Sequence, residues 1–105
     1  MLDTIRRCFR GNKVLYTAHA RKEMRCEEHG LIREEEVYEA VLKGEIIENY
    51  QDDQPYPSTL LYGRTLAGRP IHVVCAYCST DDLLIIVTVY EPNPARWINY
   101  RRRRK

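Results

Sequence analysis

The stretch RPIHVVCAYCSTDDLLIIVTVY, Arg69 to Tyr90, decides the fold class. Two runs rich in apolar and β-branched residues, 69–78 and 83–90, flank the polar turn STDD, the pattern of an antiparallel hairpin. Side chains alternate along a strand, so Ile71, Val73, Cys75 and Tyr77 share one face and His72, Val74, Ala76 and Cys78 the other. Upstream, TLLYGRT (59–65) and the loop LAG supply another strand. EIIENY (45–50) supplies one more, joined through the turn-rich QDDQPYPS. Four strands paired in sequence order form an antiparallel meander. The face carrying Leu60, Val74, Ala76, Ile85 and Val87 is expected to lie under helices. The face with Thr65, Tyr77, Thr88 and Tyr90 is expected to be open. His72 then falls at the core margin, with Tyr62 and Arg64 on one flank and Val89 on the other.

The N-terminal half is helical. Leu2, Ile5 and Phe9 recur at helical spacing opposite Arg6, Arg7 and Arg10, and Gly11-Asn12 ends that short helix. KVLY (13–16) has the makings of a short strand. Thr17 is a suitable N-cap for a helix running to about Glu28, with Ala20 and Met24 stacked four apart. A further helix spans about Glu34 to Lys43, where Val37, Ala40 and Val41 form the buried stripe. Glu34, Glu35 and Glu36 occupy its first turn, where the helix dipole favours acids. The expected architecture is therefore α+β: two helices packed on a four-stranded antiparallel sheet. It forms one domain over 1–105, with a short helix in 1–12 and a basic tail at 97–105.

Composition suits a globular chain, with 44% hydrophobic and 30% charged residues among 105. No apolar run approaches the roughly 20 residues of a membrane span. The N-terminus lacks the apolar segment of a secretion signal, so a cytoplasmic location is expected. The net charge of +2 conceals a segregation. Residues 1–22 carry Arg6, Arg7, Arg10, Lys13, Arg21 and Lys22 against Asp3 alone. Acids outnumber bases through the middle, and residues 92–105 hold only bases, ending in RRRRK. Basic segments attract phosphate backbones, although a terminal run of this kind is equally a solvated tail.

Three features carry possible chemistry. Cys75-x-x-Cys78, with Cys26-x-x-His29, offers a zinc pattern on paper, but alternation sends Cys75 and Cys78 to opposite faces. Core packing is the better reading of those thiols, and no metal is expected. His19 stands in the first turn of its helix with Lys22 on the same face, beside Arg21 and Arg25. Such an imidazole can take the 2′-OH proton of RNA while the cations hold the phosphate. It can equally be a helix-terminal residue that hydrogen-bonds the preceding loop. His72, in its strand, is either a second candidate or a satisfied structural histidine. There is no phosphate-binding P-loop, dinucleotide glycine pattern, serine elbow or HExxH.

The strings YTAHARKEM, GLIREEEVYEAVLKGEIIENY, DDQPYPSTLLYGRTLAGRPIHVVCAYC and IIVTVYEPNPARW together resemble a small prokaryotic family of unknown function. The resemblance runs from about Tyr16 to Arg104. His19-Ala20 matches its His-Ala signature, Met24 the methionine after it, His72 its third strand, and Tyr90-Glu91 its ending. Members of that family typically stand beside a YgiT/MqsA-type zinc-finger antitoxin and are taken to be type II toxins with a RelE/barnase-like ribonuclease fold. The resemblance thus implies a metal-independent endoribonuclease without cofactor, acting on free or ribosome-bound mRNA and neutralised by a zinc-finger antitoxin. It assigns His19, Arg25, His72 and Tyr90 to catalysis, and Arg21, Lys22, Arg64, Arg101, Arg102, Arg103 and Arg104 to RNA binding. This chain departs at Glu23 and Glu27, where broader relatives often carry arginine, and Arg21 or Arg25 would then substitute. The alternative is a non-catalytic nucleic-acid- or protein-binding module.

Overall fold

Thr17 turns the chain from strand to helix with one hydroxyl. Its Oγ1 accepts from the Ala20 N–H at 3.0 Å, capping a helix, and donates to the Val87 carbonyl at 3.2 Å, fixing that helix to a strand. In the computed structural model, which describes residues 1–105, the chain forms α1 (Leu2–Arg10), β1 (Val14–Tyr16), α2 (Ala18–Cys26) and α3 (Glu34–Leu42). There follow β2 (Glu45–Tyr50), β3 (Ser58–Arg64), β4 (Pro70–Cys78) and β5 (Leu83–Tyr90). Two short strands, β6 (Trp97–Ile98) and β7 (Arg102–Arg103), close the chain. No helix is long and apolar enough to cross a membrane.

The fold is α+β, but the sheet has five strands in the order β1-β5-β4-β3-β2, and three helices accompany it. It is mixed rather than purely antiparallel, because β1 pairs parallel with β5 through Val14↔Leu84 and Tyr16↔Ile86. The expected four-stranded meander is present as β2 to β5. What it lacked was the three-residue strand at its edge.

The helices cover the face opposite to the one expected. Leu61, Ile71, Val73, Cys75, Leu84, Ile86 and Val89 join Ile5, Cys8, Ala20, Met24, Val37, Ala40 and Val41 in one buried cluster. The buried positions on α2 and α3 are those the helical spacing selects. The register and the covering of the sheet also differ from expectation. The register of β4 on β5 shifts between Val74 and Cys75, leaving Val87 as an extra bulge residue. Beyond that bulge every side chain of β5 changes face, so His72 lies opposite Tyr90, not Val89. The second face is also covered. The segment Trp97–Arg104 folds back as the β6–β7 hairpin, burying Trp97 and His72, so both faces are apolar and neither stands out as open.

The expected free basic tail is thus a folded element. Arg101 pairs with Glu45 and Arg103 with Glu48, both acids on β2. The two guanidinium groups also stack over Tyr62 and Trp97, at 5.0 and 4.7 Å from the ring centres. The hairpin turns through Asn99 and Tyr100, both with positive φ, at 53° and 63°.

Helix α3 lies directly on the backbone of β3. A Cβ placed at Gly63 would come within 1.9 Å of the Ala40 carbonyl oxygen and 2.6 Å of its carbon. Backbone cannot yield as a flexible side chain does. Gly63→Ala should therefore cost about 3 kcal/mol of unfolding free energy, the upper range for overpacking, in urea titrations followed by Trp97 fluorescence.

Candidate active site

Strand β5 is longer than the partner on its outer edge. Lys13 to Thr17 satisfy that edge as far as Val87: Leu84 N–H donates to the Lys13 carbonyl, and Thr17 N–H to the Ile86 carbonyl at 3.0 Å. Beyond Val87 the edge N–H groups of Val89 and Glu91 have no strand to meet. Glu23 and Glu27 of α2 accept them instead, Glu23 Oε1 at 3.1 Å and Glu27 Oε1 at 2.6 Å. The match is geometric. Four residues of helix advance about 6 Å and two residues of strand about 6.6 Å, so acids four apart can meet alternate strand amides.

This docking sets a groove of about 340 Å³ between α2 and β5, lined by His19, Lys22, Glu23, Cys26, Glu27 and Tyr90. His19 is open to solvent, its side chain 65% exposed, and its Nε2 lies 3.4 Å from Glu23 Oε1. One carboxylate oxygen therefore faces both a strand amide and the imidazole. A carboxylate so placed orients the ring. Lys22 has no ion-pair partner.

His72 lies one strand inward from Tyr90 and is fully buried. Its Nε2 is 2.7 Å from the Tyr100 carbonyl, and its Nδ1 is 3.1 Å from the Tyr90 hydroxyl. A carbonyl only accepts, so Nε2 carries the proton and the Tyr90 O–H donates to Nδ1. Trp97 stands edge-on to the ring at 4.5 Å, and Tyr62 and Tyr90 flank it. Burial pushes the imidazole below its ordinary value, outweighing the Tyr100 carbonyl and Glu48, which favour the charged ring; Arg103 adds to the depression. Burial likewise pushes the Tyr90 phenol up to about 12, with Tyr50 adding to the rise.

The structure thus brings His19, Lys22 and Tyr90 together and joins His72 to them only through the Tyr90 hydroxyl. Arg21 turns away to Glu34 at 2.9 Å and lies over the Tyr16 ring. Arg25 is exposed on α2 without lining the groove. Arg64 stacks on Tyr100, across the sheet from His19, and Arg101 and Arg103 are held by β2. Arg102 is exposed, while Arg104 donates to the Pro94 carbonyl. Of the four cysteines, Cys8 and Cys75 are in the helix-side core and Cys78 meets the Tyr56 hydroxyl at 3.4 Å. Burial raises the Cys75 thiol to about 11, as expected of a packing residue. Cys26 is exposed beside the groove.

Sequence reasoning passed over Glu23 and Glu27, treating them only as departures from an arginine pattern. The signal was present in their spacing: Glu23 is four residues from His19, and Glu27 four residues further.

The family model described as a domain of unknown function, DUF4258, matches residues 16–91, well over half of the chain. The chain belongs to this family. The DUF4258 span starts at the last residue of β1 and ends one residue after β5. It therefore contains the whole groove and His72, and excludes α1 and the β6–β7 hairpin. No curated protein and no solved structure matches the chain.

Acid should loosen the cover over His72. As pH falls through about 6.5 the unfolded chain takes up the histidine proton first, because the folded value is lower. The stability present above that pH is then lost towards the folded value. The groups facing the ring are Glu48 from β2, Tyr62 from β3, Tyr90 from β5, and Tyr100 and Arg103 from the hairpin. Urea unfolding at pH 7 and 5.5, read by Trp97 fluorescence, should show a fall in stability that His72→Gln reduces.

Proposed function

We propose that this DUF4258 chain is an endoribonuclease toxin of a type II pair, with a RelE/barnase-like core, acting on mRNA in the cytoplasm and neutralised by a zinc-finger antitoxin. The observation that carries the reading is the solvent-open His19 paired with Glu23 in a groove that also holds Lys22 and Tyr90. His19 acts as the base. It removes the 2′-OH proton, the 2′-oxygen bonds to phosphorus, and the bond from phosphorus to the 5′-oxygen breaks. Solvent protonates the departing 5′-oxygen, and the imidazolium returns its proton to water, leaving a 2′,3′-cyclic phosphate and a 5′-hydroxyl. No metal is required in this scheme, because Lys22 offsets the charge gathering on the non-bridging oxygens.

Glu23 is a positioning residue, tied to the Val89 amide so that the imidazole cannot drift. Tyr90 forms the groove wall and offers a ring to ribose or base. Its hydroxyl is committed to His72 and its phenol is held up near 12, so it does not serve as the base. Arg25, one turn beyond Arg21 on the exposed helix surface, adds long-range attraction for phosphate.

A second reading has its own support. Arg101 and Arg103 are spent on Glu45 and Glu48, and His72 is sealed, which suits a non-catalytic binding module.

Purified chain incubated with mRNA, with and without ribosomes, distinguishes the two. His19→Ala should lower cleavage about 100-fold with unchanged thermal stability, and should abolish growth arrest on expression. Glu23→Gln keeps an oxygen acceptor for Val89 and should lower it about tenfold. Absence of cleavage by the wild-type chain, or wild-type cleavage by His19→Ala, sinks the catalytic reading.

A further inference from the structure

A second depression lies across the sheet from His19, at the β2 side, and it is built differently. It has a volume of about 450 Å³ and is formed by the end of α3, the start of β2, the β3–β4 hairpin and the C-terminal hairpin. Leu42 and Lys43 come from α3 and the residue after it, Arg64 and Leu66 from β3 and the hairpin, and Arg101 from the C-terminal hairpin. Leu66 is 85% exposed, the most exposed large hydrophobic side chain in the molecule, and Leu42 is 37% exposed on the same rim. A leucine at a hairpin tip gains nothing from the fold. This one is held in place, because the Leu66 N–H donates to Glu39 Oε1 at 3.0 Å and ties the tip to α3.

The charges around the rim are unequally spent. Glu45 is paired with Arg101, and Glu39 accepts from the Leu66 amide, a neutral donor that leaves its charge in place. Lys43 and Arg64 have no carboxylate partner. Arg64 donates to the Gly68 carbonyl and lies over the Tyr100 ring, which fixes its position without cancelling its charge. Exposed leucines beside two cations without a carboxylate partner call for an occupant that brings both apolar side chains and negative charge.

From this we infer that the depression between α3 and the β3–β4 hairpin docks an acidic amphipathic segment of a protein partner, its apolar side chains meeting Leu42 and Leu66 and its carboxylates meeting Lys43 and Arg64. Single-stranded RNA fits less well. Of the aromatic rings next to the depression, Tyr62 is buried under Arg101 and Tyr100 has Arg64 over its ring, which leaves little aromatic surface for a base. The inference does not rest on the chemistry proposed at His19.

Amide chemical-shift mapping on the full chain tests it. Three probes are titrated separately: an acidic amphipathic helical peptide with leucines at i, i+4 spacing and glutamates elsewhere, the same peptide with lysine for glutamate, and a single-stranded oligoribonucleotide. The acidic peptide alone should shift Leu42, Lys43, Arg64 and Leu66 saturably, and added salt should weaken it. Leu66→Asp, a change at a solvent-facing site, should weaken binding about tenfold, as should Lys43→Glu with Arg64→Glu. Shifts there with the oligoribonucleotide or the lysine peptide, or none with the acidic peptide, overturn the inference.

Discussion

The outer edge of β5 governs the arrangement of this molecule. Buried strand amides must find acceptors, and an edge left open is a template for unwanted pairing. β1 is too short to cover that edge. The chain solves the problem by turning at Thr17 and running α2 along the remainder, with Glu23 and Glu27 in place of strand carbonyls. The helix is thereby fixed in azimuth and in height. His19, one turn before Glu23, has no freedom to fall anywhere but at the mouth of the groove facing Tyr90.

Arg69 holds the other end of the same assembly. Its guanidinium reaches Glu91 at 2.7 Å, Glu36, and the carbonyls of Gly30 and Leu31, while its own N–H donates to Thr65 Oγ1. Glu36 also accepts from the Arg33 N–H at the start of α3. The acid run 34–36, read from sequence as dipole complementarity, is therefore more specific than that: Glu34 meets Arg21 and Glu36 meets Arg69, one on each side of the helix. Arg69 is only 17% exposed, and removing it would leave Glu36 and Glu91 facing each other without a cation.

How much of this was legible follows from the range of each interaction. Local signals were read correctly: the Thr17 cap, the buried stripes of α2 and α3, and strands 45–50 and 83–90. Errors arose where a long-range element supplied the missing partner. Nothing local in LLIIVTVY marks Val87 as a bulge, so His72 was given Val89 as its neighbour in place of Tyr90. Nothing local in RRRRK says that Glu45 and Glu48 wait 55 or so residues away. His72 was ambiguous for the same reason. Its burial comes from Trp97 and Tyr100, which reach it only because EPNPA turns the chain back over the sheet.

The charge segregation of the sequence takes on another meaning in space. Basic ends around an acidic middle look like a surface made for phosphate. In the fold much of that contrast is consumed internally. Arg6 caps the carbonyls of Val41 and Gly44 at the end of α3, Arg7 grips Asp82 with both terminal nitrogens, and Arg21, Arg101 and Arg103 each meet an acid of the central segment. Exposed pairs of this kind contribute little stability, typically under about 1 kcal/mol each. Their effect is on register, since they wrap both termini onto the sheet in one arrangement. Among the cations without a carboxylate partner, Lys22 and Arg25 stand on α2, the helix of His19, and Lys43 and Arg64 stand around the depression at Leu66. The two groups stand on opposite flanks of the Tyr62–His72–Tyr90 row, so a chain engaged at one flank does not compete for the cations of the other.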